Sequence, residues 1–185
     1  MDHTLEDAWS LLSEWTASES LQRHALAVEA CMRWYARSFA EDAELWGLTG
    51  LLHDFDYEKH PDPSEHPQVG MAYLREHGWP EPMIHAIAGH APYLGVHRQS
   101  KLDKALFAVD ELSGLIVASA LIRPSKKLAE VTVESVLKNF RKASFARGVN
   151  RGDVTQGAEE LEIPLERHVA NCLEAMRDKA GALGL

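Results

Sequence analysis

The stretch Leu51-Leu52-His53-Asp54-Phe55-Asp56 places an imidazole and a carboxylate side by side at the end of an apolar run. The leucines and tryptophan between residues 45 and 52 indicate a buried helix that ends at this doublet. Aspartate is rarely buried without a partner, and both residue types bind metals. Two explanations are open: a metal ion binds both groups, or the two groups satisfy each other and the neighbouring backbone.

The composition is typical of a globular protein. The chain has 185 residues, 45% hydrophobic and 25% charged, which is most simply one domain, 1–185, that buries about 70% of its unfolded surface. It contains no apolar run of about 18 residues, and its acidic start lacks the order of a signal peptide, so we expect no membrane span. Cys31 and Cys172 lie in helical patterns and are expected to be buried thiols, which predicts a cytoplasmic protein.

The charge balance limits the possible partners. A formal net charge of −9, from 28 acidic and 19 basic residues, argues against general nucleic-acid binding. It leaves a small phosphorylated substrate open. The sequence carries no indication of oligomeric state.

Helical spacing of apolar residues runs through nearly the whole chain, and no strand-like alternation of useful length occurs. The sequence therefore predicts an all-α fold. The predicted helices cover about residues 4–15, 18 or 20–39, 42–54, 67–77, 81–90, 102–120, 133–145, 150–161 and 164–180.

Further histidines and an aspartate lie at unusual positions relative to these predicted helices. His24 lies on or near the apolar face of the second helix, where a histidine alone is more often a hydrogen-bonded core residue than a ligand. His66 opens one predicted helix and His90 closes the next. Asp110 sits inside an apolar run, so its carboxylate needs a partner or a cation.

The order His24, then His53-Asp54, then Asp110 resembles the HD-domain superfamily of metal-dependent phosphohydrolases. Members of one subset have two more histidines between the doublet and the last aspartate, and they hold two metals. His66 and His90 match those added positions.

The resemblance covers about residues 20–118, and residues 119–185 are expected to form a C-terminal helical extension. It implies two divalent ions, with Asp54 bridging them or orienting a metal-activated water. Fe or Mn is expected first, with Co, Ni, Zn and Mg as alternatives. The implied substrate is a small phosphate ester or nucleotide. The implied metal ligands are His24, His53, Asp54, His66, His90 and Asp110.

The other histidines are expected to lie outside this set. His85 precedes His90 by five positions, about 140° around a helix, so both rings cannot point into one site. The remaining five are expected to be solvated, although His60 and His97 could border the pocket. These five are His3, His60, His77, His97 and His168.

Basic residues provide candidate substrate contacts. Lys59, just after the doublet, could bind phosphate or act as a catalytic acid. Lys126 and Lys127 belong to the basic stretch 123–151, whose positive field could attract an anionic substrate. A solvated surface position is the alternative for each of them.

Two other functions remain open. Some HD-fold proteins have a similar ligand set but use a mixed-valence di-iron centre to activate dioxygen. A non-catalytic HD domain that binds a nucleotide and regulates a partner is the third possibility, although the intact ligand set argues against it.

Overall fold

The computed structural model describes residues 3–185, and within this range the chain is helical with no β-strand. The all-α fold class predicted from the sequence is therefore confirmed. None of the helices in this range combines the length and apolar content that crossing a bilayer requires. The helices are α1 (Leu5–Trp15), α2 (Glu19–Ser38), α3 (Ala43–Leu52), α4 (Gln68–Glu76), α5 (Glu81–His90), α6 (Lys101–Leu121), α7 (Val133–Phe140), α8 (Arg151–Glu160), α9 (Leu165–Arg177) and α10 (Ala180–Leu183).

Polar side chains set where several helices begin. Thr4 and Ser100 form capping boxes with Asp7 and Asp103, the third residues of α1 and α6. Asp42 accepts hydrogen bonds from two backbone N–H groups in the first turn of α3. Each cap satisfies N–H groups that have no partner within the helix, and so fixes the residue at which the helix begins.

Helix α6 occupies the centre of the bundle. It packs against α2, α5, α8 and α9, while α2 also packs along α3. Leu106, Val109 and Leu112 on α6 are completely buried, and burying each such side chain contributes about 1.5–3 kcal/mol. Asp110 is held within this apolar segment, so the packing of α6 determines its position.

Helix α7 ends at Phe140, earlier than the predicted boundary near residue 145. The segment that follows α7 is held in place by the side chain of Arg151. Its guanidinium donates hydrogen bonds to the carbonyls of Ala146 (2.6 Å), Val149 (2.8 Å) and Phe145. These carbonyls are satisfied by the guanidinium rather than by a continuing helix.

His168 is completely buried, so the expectation that it is solvated is wrong. Its Nε2–H donates to the carbonyl of Ala108 (2.9 Å), and its Nδ1 accepts from the hydroxyl of Tyr35 (2.6 Å). The physical reason is the periodicity of α9, because His168 shares one buried face with Cys172 and Met176. This histidine connects α9 to α6 and α2.

Candidate metal centre

Five segments bring the six predicted ligands together beside α6. The second turn of α2 carries His24, and the middle of α6 carries Asp110. The doublet follows the last residue of α3, one histidine precedes α4, and another is the last residue of α5. The residues from these last three segments are His53, Asp54, His66 and His90.

The carboxylate of Asp54 lies between two groups of imidazoles. Its Oδ2 is 3.5 Å from Nε2 of His53. Its Oδ1 is 3.2 Å from Nε2 of His66 and 3.1 Å from Nε2 of His90. Asp54 thus offers one oxygen to each side of the cluster.

Asp110 adds a second carboxylate to the side of the cluster that contains His53 and Oδ2 of Asp54. Its Oδ1 is 2.9 Å from Nε2 of His24 and 3.4 Å from Nε2 of His53. Two groups each offer donor atoms that all lie within 4.8 Å of one another: His24, His53 and Asp54 form one, and Asp54, His66 and His90 form the other. Both groups could hold a metal ion, and they share Asp54.

The opposite ring nitrogens show which way the imidazoles are oriented. Nδ1 of His53 lies 2.8 Å from the carbonyl oxygen of Gly50, and Nδ1 of His90 lies 2.5 Å from that of Ile87. Because a carbonyl oxygen only accepts, Nδ1 is the donor in both cases. This leaves Nε2 of each ring facing a carboxylate, so that either a proton or a metal ion must lie between the two groups.

The donor atoms fit a metal ion better than a proton at His53. Its Nε2 is fully buried and has no hydrogen-bond partner, although two carboxylates lie 3.4 Å and 3.5 Å away. Two ligand atoms about 2.1 Å from one ion, at angles of about 90–110°, are about 3.0–3.4 Å apart. The spacing around His53 therefore matches the spacing of ligands around a shared ion.

Asp56, for which the sequence suggested no role, supports His66. It is completely buried, and its two oxygens accept from Nδ1 of His66 and from the backbone N–H of Gly70, both at 2.8 Å. A Cβ atom on residue 70 would lie 2.8 Å from Cγ of Asp56, so glycine permits this approach. A carboxylate behind a ligating histidine fixes the ring and raises its basicity.

Charge within the cluster shifts the pKa values of its members. Burial opposes a charge on His53, but the carboxylates of Asp54 and Asp110 raise its pKa to about 9. Burial likewise opposes a charge on His66, but Asp54 and Asp56 raise its pKa to about 9. Burial also favours the neutral form of Asp54 and Asp110, yet the neighbouring imidazoles hold both pKa values below the usual range. The two carboxylates remain ionised and attract cations.

A cleft of about 510 Å³ opens onto this cluster. Asp54 and Asp110 contribute to its floor, and Tyr57 and Tyr93 to its walls. The hydroxyl of Tyr93 donates to the carbonyl of His66 (2.8 Å), which holds that tyrosine beside the cluster. Clefts of this size bind small molecules.

Residues from α6 and α8 form an acidic wall of the same cleft. Glu111 directly follows Asp110 in the chain, and Asp153 lies in the first turn of α8. The backbone N–H of Asn150 donates to Glu111 (3.1 Å), which joins the two helices at the cleft. Burial and the nearby charge of Asp110 raise the pKa of Glu111 to about 7.

The predicted lysines lie away from the cleft. The ammonium of Lys59 is 4.6 Å from the centre of the Trp15 ring. Lys126 and Lys127 are exposed. For residues 3–185, none of these lysines lines the cleft.

Three other histidines also lie outside the cluster. His85 is outside the cluster, and its Nδ1 lies 3.2 Å from the carboxylate of Asp103. His60 lies 3.2 Å from Glu65, and His97 opens onto a separate groove beside Arg98.

Comparison with protein families matches residues 21–115 to the family described as HD domain. No curated protein and no solved structure matches the chain. The matched segment spans more than half of the sequence and contains all six residues of the cluster that were predicted to be ligands. The chain belongs to the HD domain family.

Proposed function

We propose that this HD-domain protein is a metal-dependent phosphohydrolase that acts on a small phosphate ester. The observation that supports this most directly is the arrangement of four imidazole Nε2 atoms, each 2.9–3.5 Å from a carboxylate of Asp54 or Asp110. The cleft above them has room for a small substrate.

Two donor sets support a pair of ions. The first set would be His24, His53, Asp54 and Asp110, and the second would be Asp54, His66 and His90. Imidazole with carboxylate suits Fe, Mn, Co, Ni or Zn. Such ions, when bound, supply positive charge that polarises a phosphoryl oxygen and lowers the pKa of water.

The protein's own groups would orient the reactants. Asp54 lies at the floor of the cleft, where its carboxylate can accept a hydrogen bond from the attacking water and align it with the phosphorus. The rings of Tyr57 and Tyr93 stand beside His66. They would enclose the organic part of the ester and exclude bulk water from one side.

The catalytic and phosphate-binding roles expected of the lysines remain predictions. For Lys59 to donate a proton to the leaving group, its side chain would have to leave the Trp15 ring. Lys126 and Lys127 would act through their long-range field on an approaching anion rather than by contact.

The test begins with the protein purified without chelator. Metal content is measured by mass spectrometry, and phosphate release is followed from a panel of phosphate monoesters and diesters, with and without oxygen. We expect phosphate release in both atmospheres. Asp54→Asn should lose activity by about a hundredfold or more, together with bound metal. Asp178→Asn, an exposed carboxylate at the end of α9, is the matched control and should behave like the wild type.

Other outcomes point to the alternative functions. Oxygen-dependent turnover without phosphate release would replace the hydrolase by an oxygenase. Metal-loaded protein that binds nucleotides but cleaves no ester would indicate a regulatory domain. Full activity and full metal content in Asp54→Asn would contradict the assigned centre.

A further inference from the structure

Apart from the histidines, the charged side chains that line the cleft are all acidic in the described part of the chain. Glu111 and Asp153 lie on the wall, beyond the floor formed by Asp54 and Asp110. Within residues 3–185, neither a lysine nor an arginine lines this cleft. The nearby guanidinium of Arg98 is bound by both oxygens of Glu160, at 2.7 Å and 2.6 Å.

The cleft leads to a cation site rather than to an acidic surface alone. Nε2 of His53, at the base of the cluster, is fully buried and has no hydrogen-bond partner. Two divalent ions against Asp54 and Asp110 would leave a net charge of about +2, which one phosphomonoester dianion neutralises. A second phosphate would meet Glu111 and Asp153, which carry the same sign of charge.

The wall residues therefore need a positive partner from the substrate. A neutral organic group would remove water from two carboxylates and leave them without a counter-charge, which is costly. Tyr57 and Tyr93, 41% and 54% exposed, add aromatic faces beside the carboxylates. Carboxylates together with aromatic faces are a favourable environment for an organic ammonium group.

We propose that the substrate is a phosphomonoester whose organic part carries a positively charged nitrogen, and that Glu111 and Asp153 bind this nitrogen. The inference rests on the proposed phosphohydrolase function, because the metal centre would take the phosphoryl group.

The acidic wall depends on the C-terminal helices. Asp153 lies on α8, outside the segment matched to the HD family. Helix α8 approaches α6 closely, since a Cβ atom on Gly157 would lie 2.5 Å from Cα of Ala108. The N–H of Asn150 holds Glu111 at the start of the same helix. Recognition of the organic part is thus shared between Glu111, inside the family match, and Asp153, outside it.

The test compares matched pairs of substrates on the metal-loaded protein at about pH 8, well above the ordinary pKa range of carboxylates and below that of an alkyl ammonium group. The pairs are aminoethyl with ethyl phosphate and aminobutyl with butyl phosphate, and a nucleoside diphosphate serves as the polyanion. We expect kcat/KM to be about tenfold higher for the amine of each pair. Asp153→Asn and Glu111→Gln should each lower this ratio, with metal content measured in parallel. Glu159→Gln, exposed on the same helix as Asp153, should keep it.

Calorimetry gives a second measurement that does not depend on turnover. Aminoethylphosphonate and ethylphosphonate lack the ester bond, and the amine should bind about tenfold more tightly. Equal turnover of both members of each pair, or a preference for the diphosphate, would overturn the ammonium site and leave the hydrolase intact. Amine-selective phosphonate binding without phosphate release from any ester would support the ammonium site and overturn hydrolysis.

Discussion

Protonation of His168 should limit the stability of the fold in acid. Burial lowers the pKa of this imidazole from 6.5 to about 4. Both ring nitrogens are already used, one as donor to Ala108 and one as acceptor from Tyr35. The unfolded chain takes up the proton at higher pH than the folded chain does. The stabilisation is therefore complete above pH 6.5 and is lost as the pH falls toward 4.

The size of the effect follows from the two pKa values. The difference between 6.5 and about 4 corresponds to about 3 kcal/mol in the free energy of unfolding at pH 4. Urea denaturation followed by circular dichroism between pH 7.5 and pH 4 measures it, with His168→Gln as the comparison. The glutamine amide can still donate to Ala108, but it does not titrate in this range. The wild type should lose about 3 kcal/mol more than the variant. Parallel pH dependences of the two proteins would refute the reasoning.

Three further predictions concern the metal centre and the packing behind it. Asp56→Asn should weaken metal binding by about 10–100-fold in calorimetric titrations, because His66 loses its carboxylate partner; unchanged affinity would show that the ring is held without it. Gly157→Ala should lower the free energy of unfolding by about 1–3 kcal/mol through contact with Ala108. Gly114→Ala is the control, because the added Cβ would lie 3.8 Å from its nearest neighbouring atom, and it should not lower the free energy of unfolding. Equal losses in the two variants would refute the packing argument. Dialysis against chelator should lower the Tm, and excess metal should restore it; a constant Tm would count against a native metal site.

Two positions of the cluster stand out in the sequence because a polar donor lies in apolar surroundings, whereas His66 and His90 are expected only from the family resemblance. Asp110 lies in a run of core residues, and His53 closes an apolar helix. These irregularities are local, so a single sequence shows them. The all-α fold follows from the same helical periodicity.

The acidic wall could not be predicted in this way, because it forms only when α8 docks on α6 and brings Asp153 near Glu111. No sequence signal marked Asp56, because its burial depends on a later glycine, Gly70, that lets α4 approach it. His168 is different, because its spacing from Cys172 and Met176 does indicate a buried face. The polar residues just before it concealed that pattern.

The Nδ1 hydrogen bonds of His53 and His90 both end on a carbonyl three residues earlier in the same chain segment. Each ring is therefore aligned by its own helix terminus, independently of the rest of the bundle. Little rotamer entropy is left to lose when an ion is captured. A helix that ends in a histidine held in this manner orients its metal ligand without help from other elements. Protein engineers could graft pairs of such helix termini onto other helical scaffolds to create binding sites for transition metals.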